Sequence, residues 1–176
     1  MKQYELKNNY GGKALRPCRF SCGYDGCNLI FEFRAFDSDI YCPHKDDNAG
    51  LWQGDVVGVF ISPDGSQNDY YEFEAAPNGA RFFAVVHLEK TDPIINPRTF
   101  EPVFFAETKS EADGYYICIK VPIAKLDGFN IGKARFNALC LDYDLHGRMK
   151  GCQALNPTFC GMVHVPKRFL RLAKYI

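Results

Sequence analysis

Residues 55–65 read Asp55-Val56-Val57-Gly58-Val59-Phe60-Ile61-Ser62-Pro63-Asp64-Gly65, a run that is apolar on both of its faces and stops at turn-forming residues. A strand that offers no polar side to water belongs inside a sheet covered above and below. Pro63 and Gly65 supply the backbone dihedrals that end it. Residues 55–61 are therefore expected as an inner strand. Just downstream, residues 70–76 and 80–88 flank Pro77-Asn78-Gly79. Asn-Gly between two strand-forming runs is a strong hairpin signal because both residues tolerate positive φ, so these runs are expected to pair antiparallel.

The pattern continues outward in both directions. Upstream, Leu29, Phe31, Phe33 and Ala35 alternate with Glu32 and Arg34, which makes 29–36 a strand with one buried and one wetter face. Downstream, Asp113-Gly114 turns the chain between 103–106 and 115–121, and 134–141 alternates again. His146-Gly147 marks a further reversal, and a last strand is expected over 169–175. Pro122 opens a short helical turn that ends at Asp127-Gly128. Residues 91–102 carry Pro93, Asn96, Pro97 and Pro102 and suit a long surface connection. Some eight to ten short strands without long helices or repeats predict an all-β domain. The expected form is one antiparallel β-sandwich over 1–176, immunoglobulin-like or jelly-roll-like, with one or two short helical turns. A closed barrel fits the same pattern.

Composition narrows the partners. The 21 Lys and Arg equal the 21 Asp and Glu, so no long-range field draws the chain to nucleic acid or to an anionic membrane. No run of about 18 apolar residues exists to form a membrane-spanning helix. Residues 1–9 show no apolar leader, which points to a cytoplasmic location. The eight cysteines then read as reduced, small apolar side chains. Cys18, Cys22, Cys27 and Cys42 lack the paired Cys-x-x-Cys spacing of a zinc site.

An ordered set of blocks resembles carbohydrate-binding module family 9. It comprises Trp52 through Ile61 with Ser62-Pro63-Asp64-Gly65, then Tyr71-Glu72-Phe73, Asn78-Gly79, Tyr116 through Ile123, and Gly132 through Asn137. Phe159, His164-Val165-Pro166 and Phe169 complete it near the end of the chain. The resemblance implies a non-catalytic β-sandwich that grips the reducing end of a sugar between two tryptophans, with polar side chains assisting and often with structural calcium. Trp52 matches the first tryptophan, whereas Leu155 stands at the second. Gly58 stands where the family carries an acidic residue, and Glu74 where it carries a basic one.

A pyranose presents a flat C–H face and a rim of hydroxyls, so it is held by aromatic stacking and by planar polar groups. Trp52, the single tryptophan, follows a loop at 43–50 and suits the first role; alternatively it plugs the end of the sandwich. Of Tyr70 and Tyr71 only one can face outward, and Tyr71 is a candidate second platform. Glu72 and Glu74 share a strand face, with Arg81 across the hairpin; the three suit either hydroxyl recognition or a solvated ion pair. Tyr143, Asp144 and Arg148 crowd a hairpin tip near the second stacking position, where Tyr143 is a candidate replacement ring and an ordinary polar turn is the alternative. The expected ligand-binding set is thus Trp52, Tyr71, Glu72, Glu74, Arg81, Tyr143, Asp144 and Arg148, with a saccharide as partner. No cofactor is expected, although Asp37, Asp39, Asp46 and Asp47 offer hard oxygen donors for structural calcium. No nucleophile or phosphate-loop motif occurs, and a non-enzymatic role is expected. Three alternatives remain: an interaction domain that has lost sugar binding, an accessory protein of a glycoside hydrolase, and a haem or metal domain using Met149, Met162 and His164.

Overall fold

The structure, a computed structural model, describes residues 1–88 and 98–176; most of the expected connection at 91–102 lies outside them. In chain order the strands are β1 (Gln3–Glu5), β2 (Lys7–Asn8), β3 (Cys18–Tyr24), β4 (Asn28–Phe36), β5 (Val56–Ser62), β6 (Asp69–Ala75) and β7 (Arg81–His87). They continue with β8 (Arg98–Thr99), β9 (Phe105–Glu111), β10 (Gly114–Pro122), β11 (Arg135–Tyr143), β12 (Met149–Ala154) and β13 (Leu170–Arg171). A five-stranded sheet has the order β1-β3-β4-β10-β9. An eight-stranded sheet has the order β2-β12-β11-β5-β6-β7-β8, with β13 also paired to β11. Each of these pairings is antiparallel. The sandwich replaces the closed-barrel alternative.

Between the sheets, Phe20, Phe31 and Phe33 from the small sheet meet Val59, Phe73 and Phe136 from the large one, all essentially inaccessible to water. The Phe136 ring centroid lies 6.1 Å from Phe20, 6.0 Å from Phe31 and 5.3 Å from Tyr175. The large sheet is buried on its second face as well, where Val56, Phe60, Tyr70, Phe82, Leu139 and Leu141 form another apolar cluster. The returning C-terminal segment covers part of it. Phe169 stacks on Phe60 at 5.9 Å and meets Tyr70 edge-on at 5.3 Å, while His164 lies 4.8 Å from Phe60. This second cover is the reason β5, between β11 and β6, is apolar on both sides.

The Asp113-Gly114 turn joins β9 to β10 as expected. Gly114 has φ 153°, and a Cβ there would stand 1.9 Å from the Ala35 carbonyl oxygen of the neighbouring strand. Other boundaries differ from expectation. The predicted strand at 169–175 shrinks to β13, which pairs only with Arg135 and Phe136 before a 3-10 turn over Leu172–Lys174. That turn buries Leu172 in the core and brings Tyr175 against Phe136. The strand expected at 103–106 begins only at Phe105. β3 is an addition: Cys18, Phe20 and Cys22 point inward, so two of its three inward residues are cysteines acting as small hydrophobes.

Phe136→Ala removes the ring where the two sheets and the C-terminus meet, at an expected cost of about 3–5 kcal/mol. Urea denaturation reads this as a lower midpoint with an unchanged slope; a loss below about 1 kcal/mol would contradict this placement.

Candidate functional site

Trp52 sits on a 3-10 turn, Leu51–Gln53, whose anchor Leu51 is buried under the second face of the large sheet. The Asp55 carboxylate, 1% exposed, accepts the Tyr41 amide at 2.5 Å and the Tyr143 amide at 2.7 Å. The Tyr143 hydroxyl donates to the Trp52 carbonyl at 2.8 Å. These bonds pin the turn to the end of β11. The indole itself is 46% exposed and rests edge-on against Phe82, with centroids 5.5 Å apart and planes at 85°. It is thus an open ring on a fixed base, and the plugging alternative does not describe it.

Beside the indole lies a pocket of about 300 Å³, lined by Trp52, Glu72, Glu74, Phe82, Val163 and His164 among others. Alternation along β6 sends Tyr70, Glu72 and Glu74 to this face. Glu72 is 4% and Glu74 3% exposed. Gly58 stands opposite Glu74 in register, and a Cβ there would come within 3.1 Å of both Glu74 Cγ and the Phe73 carbonyl oxygen. The glycine makes room for the carboxyl. Among the described residues, no hydrogen-bond partner reaches Glu74 Oε2. Glu72 has His164 Nε2 at 3.7 Å, and His164 Nδ1 lies 2.7 Å from the Tyr70 hydroxyl. Where Tyr70 donates to Nδ1, the proton of the neutral imidazole sits on Nε2 and faces Glu72. A second pocket, about 310 Å³, lies on the other side of Trp52 toward Tyr10, Tyr143 and Met149.

Burial governs the protonation of this floor. It pushes Glu72 up to about 8 and raises Glu74 well above the carboxylate range, with the Glu72 charge raising Glu74 further. It holds His164 down to about 4. The Tyr70 hydroxyl is raised by burial and then by Glu72, so it keeps its proton.

The remaining expected residues do not converge on the pocket. Tyr71 belongs to the opposite face of β6, stacked on Phe83 at 6.2 Å and packed against the inter-sheet core. Arg81, opposite Ala75, also leaves from that face; its guanidinium donates to Asp47 at 2.6 Å and to the Phe104 carbonyl at 3.0 Å. The expected pairing of Arg81 with Glu72 and Glu74 is thereby corrected. The period-two alternation of paired strands separates them, and both glutamates are buried, not solvated. Tyr143 is 9% exposed with its ring beside Tyr41, so it positions Trp52 and is not a replacement platform. The Asp144 carboxylate accepts the His146 and Arg148 amides and Arg148 Nε, at 2.9, 3.0 and 2.9 Å, and pairs with Lys150 at 3.0 Å. That is the self-contained polar turn. Leu155 packs against the inter-sheet core, so Val163 and His164 supply the wall facing Trp52. The sequence marked His164 within a His-x-Pro block and as a candidate haem or metal ligand, and gave no sign that the tail folds back over β6.

The acidic residues named for calcium divide. Asp47 is bound to Arg81, whereas Asp37 and Asp39 converge with Asp142 on the Arg16 guanidinium. Carboxylate oxygens of Asp37, Asp55 and Asp142 all lie within 4.8 Å of one another. Asp37 Oδ2 in this cluster has no hydrogen-bond partner among the described residues, but Asp37 Oδ1, Asp142 Oδ1 and both Asp55 oxygens already have protein partners. Arg16 already supplies the positive charge, and Asp55 is committed to two backbone amides. Burial raises Asp142 to about 6 despite Arg16, so protons complete the neutralisation as pH falls.

Two antiparallel sheets, an exposed indole and a carboxyl-floored cleft define a β-sandwich with a small-molecule pocket. No family model matches the sequence, and no curated protein sequence matches it. Solved structures do. A Bacteroides uniformis protein with a provisional carbohydrate-binding designation superposes with a TM-score of 0.77 at 16% identity, over 96% of this chain and 84% of that one. A family 9 carbohydrate-binding module from Caldicellulosiruptor kristjanssonii, in complex with glucose, gives 0.68 at 14% identity over 94% and 81%. Its complex with cellotriose gives 0.68 at 15% over 93% and 77%. The fold is that of the family 9 modules, as the ordered sequence blocks anticipated.

The buried carboxyls set a pH dependence. The folded chain keeps a proton on Glu72 up to about pH 8, whereas the unfolded chain loses it near 4.5, so stability falls as pH rises between these values. His164 acts oppositely, but only between 6.5 and about 4. Between pH 6.5 and 8 the melting temperature is therefore expected to fall. Asp55, raised by burial to about 7, adds to the fall below that pH, so the double variant Glu72→Gln/Glu74→Gln should flatten the slope in calorimetry between about pH 7 and 8, and an unaltered slope there would contradict the assigned burial.

Proposed function

We propose that this chain is a non-catalytic carbohydrate-binding module that holds a small saccharide or a polysaccharide end against Trp52. The observation that carries this reading is the juxtaposition of a half-exposed, rigidly based indole with a buried carboxyl whose Oε2 has no partner among the described residues. The ring offers a platform for the C–H face of a pyranose, and the carboxyl floor faces its hydroxyls. Glucose and cellotriose in two structural neighbours support the ligand class. The placement of the carboxyls argues against turnover. Glycoside hydrolysis needs two carboxyls flanking the scissile bond, whereas Glu72 and Glu74 point from one face of one strand into the same floor.

One observation favours a second reading, an interaction domain that has lost sugar binding: Leu155 is turned into the core and provides no second ring. Titration separates the two, because the single tryptophan makes indole fluorescence a site-specific probe. A saturable change with glucose or cellobiose is expected, and calorimetry should show Trp52→Ala weakening binding by about tenfold or more, about 1.4 kcal/mol. Arg148→Ala, in the closed turn, should leave affinity unchanged. No saturable response to any of a panel of mono- and disaccharides would favour the interaction domain.

A further inference from the structure

Buried carboxyls elsewhere in this protein are answered by a cation or by amides. Asp37 and Asp142 share Arg16, Asp55 takes two backbone amides, and Asp144 holds Arg148 and Lys150. Asp37 Oδ2, like Glu74 Oε2, has no hydrogen-bond partner among the described residues, but Glu72 and Glu74 differ in meeting neither a Lys or Arg nor an amide. Among the described residues no Lys or Arg lines their pocket, and Arg81, across the hairpin, faces the other side of the sheet. The groups that approach are the His164 imidazole, kept neutral by burial, and the Tyr70 hydroxyl behind it. Two carboxyls on alternate residues of one strand stand only about 6–7 Å apart along the backbone. In a site of low polarity such a pair either holds protons or ionises against a cation seated between its members.

We propose that the pocket beside Trp52 takes a saccharide carrying a free primary amine, its ammonium seated between the carboxyls of Glu72 and Glu74. The inference rests on the saccharide reading above and names the chemical class within it. An ammonium donates three hydrogen bonds and brings the charge that the floor lacks, whereas a hydroxyl brings one donor and no charge. Gly58, opposite Glu74, lets the Glu74 side chain lie close against the strand where a Cβ would crowd it. Phe82, Leu139 and Val163 make the walls apolar and offer no oxygen ligands, which suits a sugar ring and fails a hydrated divalent ion. Trp52 at the rim covers the ring's C–H face and attracts the positive end of the ligand. A sugar acid brings no positive charge to the floor, and an N-acetylated amine loses it. Because the ligand-free carboxyls hold protons, seating the ammonium displaces protons from them to the buffer.

Calorimetry of the whole chain at about pH 6.5, where a primary amine of this type is protonated, tests the assignment with glucose, N-acetylglucosamine, glucosamine and glucuronic acid. Glucosamine is expected to bind about tenfold or more tightly than glucose, N-acetylglucosamine or glucuronic acid. Repeating the glucosamine titration in two buffers of different ionisation enthalpy should reveal proton release. In Glu74→Gln, shown folded by circular dichroism, the glucosamine-to-glucose affinity ratio should collapse toward one. Glucose binding as tightly as glucosamine, or a ratio untouched by Glu74→Gln, would overturn the amine assignment and leave the saccharide reading standing. Failure of all four sugars to bind would overturn both.

Discussion

Burial of the eight-stranded sheet on both faces is the constraint from which the site follows. An ordinary sandwich wets the outer side of each sheet, but here β5 has no wet side, and Phe60, Tyr70 and Phe82 need a cover of their own. Two separate pieces of chain provide it: the turn bearing Trp52 and the returning segment that carries Val163, His164 and Phe169. They do not close over the whole face. What remains open is a cleft on either side of the indole, floored by strand residues that would otherwise lie on a plain sheet surface.

The same constraint buries Glu72 and Glu74. Carboxyls carried out of water need a partner or a proton, and the protein meets that cost in different ways. Asp55 is enclosed by amides and becomes the joint that fixes Trp52. Asp37 and Asp142 are drawn onto Arg16. Glu72 and Glu74 keep protons, as burial also makes Asp55 do up to about 7, but have neither amides nor a cation among the described residues, which leaves them poised for a ligand and not locked into the framework. The stabilising carboxyls and the ligand-facing ones thus differ in partners, not in depth.

Much of the fold was legible because strand periodicity is a local signal. Leu29–Phe33, the β5 run and the Asn78-Gly79 hairpin each announced themselves within a few residues. β3 was hidden by cysteines standing in inward positions, and the last strand by a need to tuck Leu172 into the core that no local pattern expresses. At the site, alternation correctly put Glu72 and Glu74 together and apart from Tyr71. It could not say which set faced the inter-sheet core, nor that a segment about 90 residues later would bury the polar set. Arg81 was misplaced because proximity across a hairpin was taken without its face. Trp52 stands out by its singularity and its block, whereas its supports, the Asp55 carboxylate and the Tyr143 hydroxyl, bind backbone groups that leave no mark on side-chain patterning.

The most direct measurement is a crystal structure of the protein with glucosamine or cellobiose bound. The account predicts a sugar ring over the Trp52 indole with a polar substituent within hydrogen-bonding distance of Glu74 Oε2. Sugar density confined to the outer face of the five-stranded sheet, or a pocket filled by a rearranged Glu74 paired to a protein cation, would contradict it.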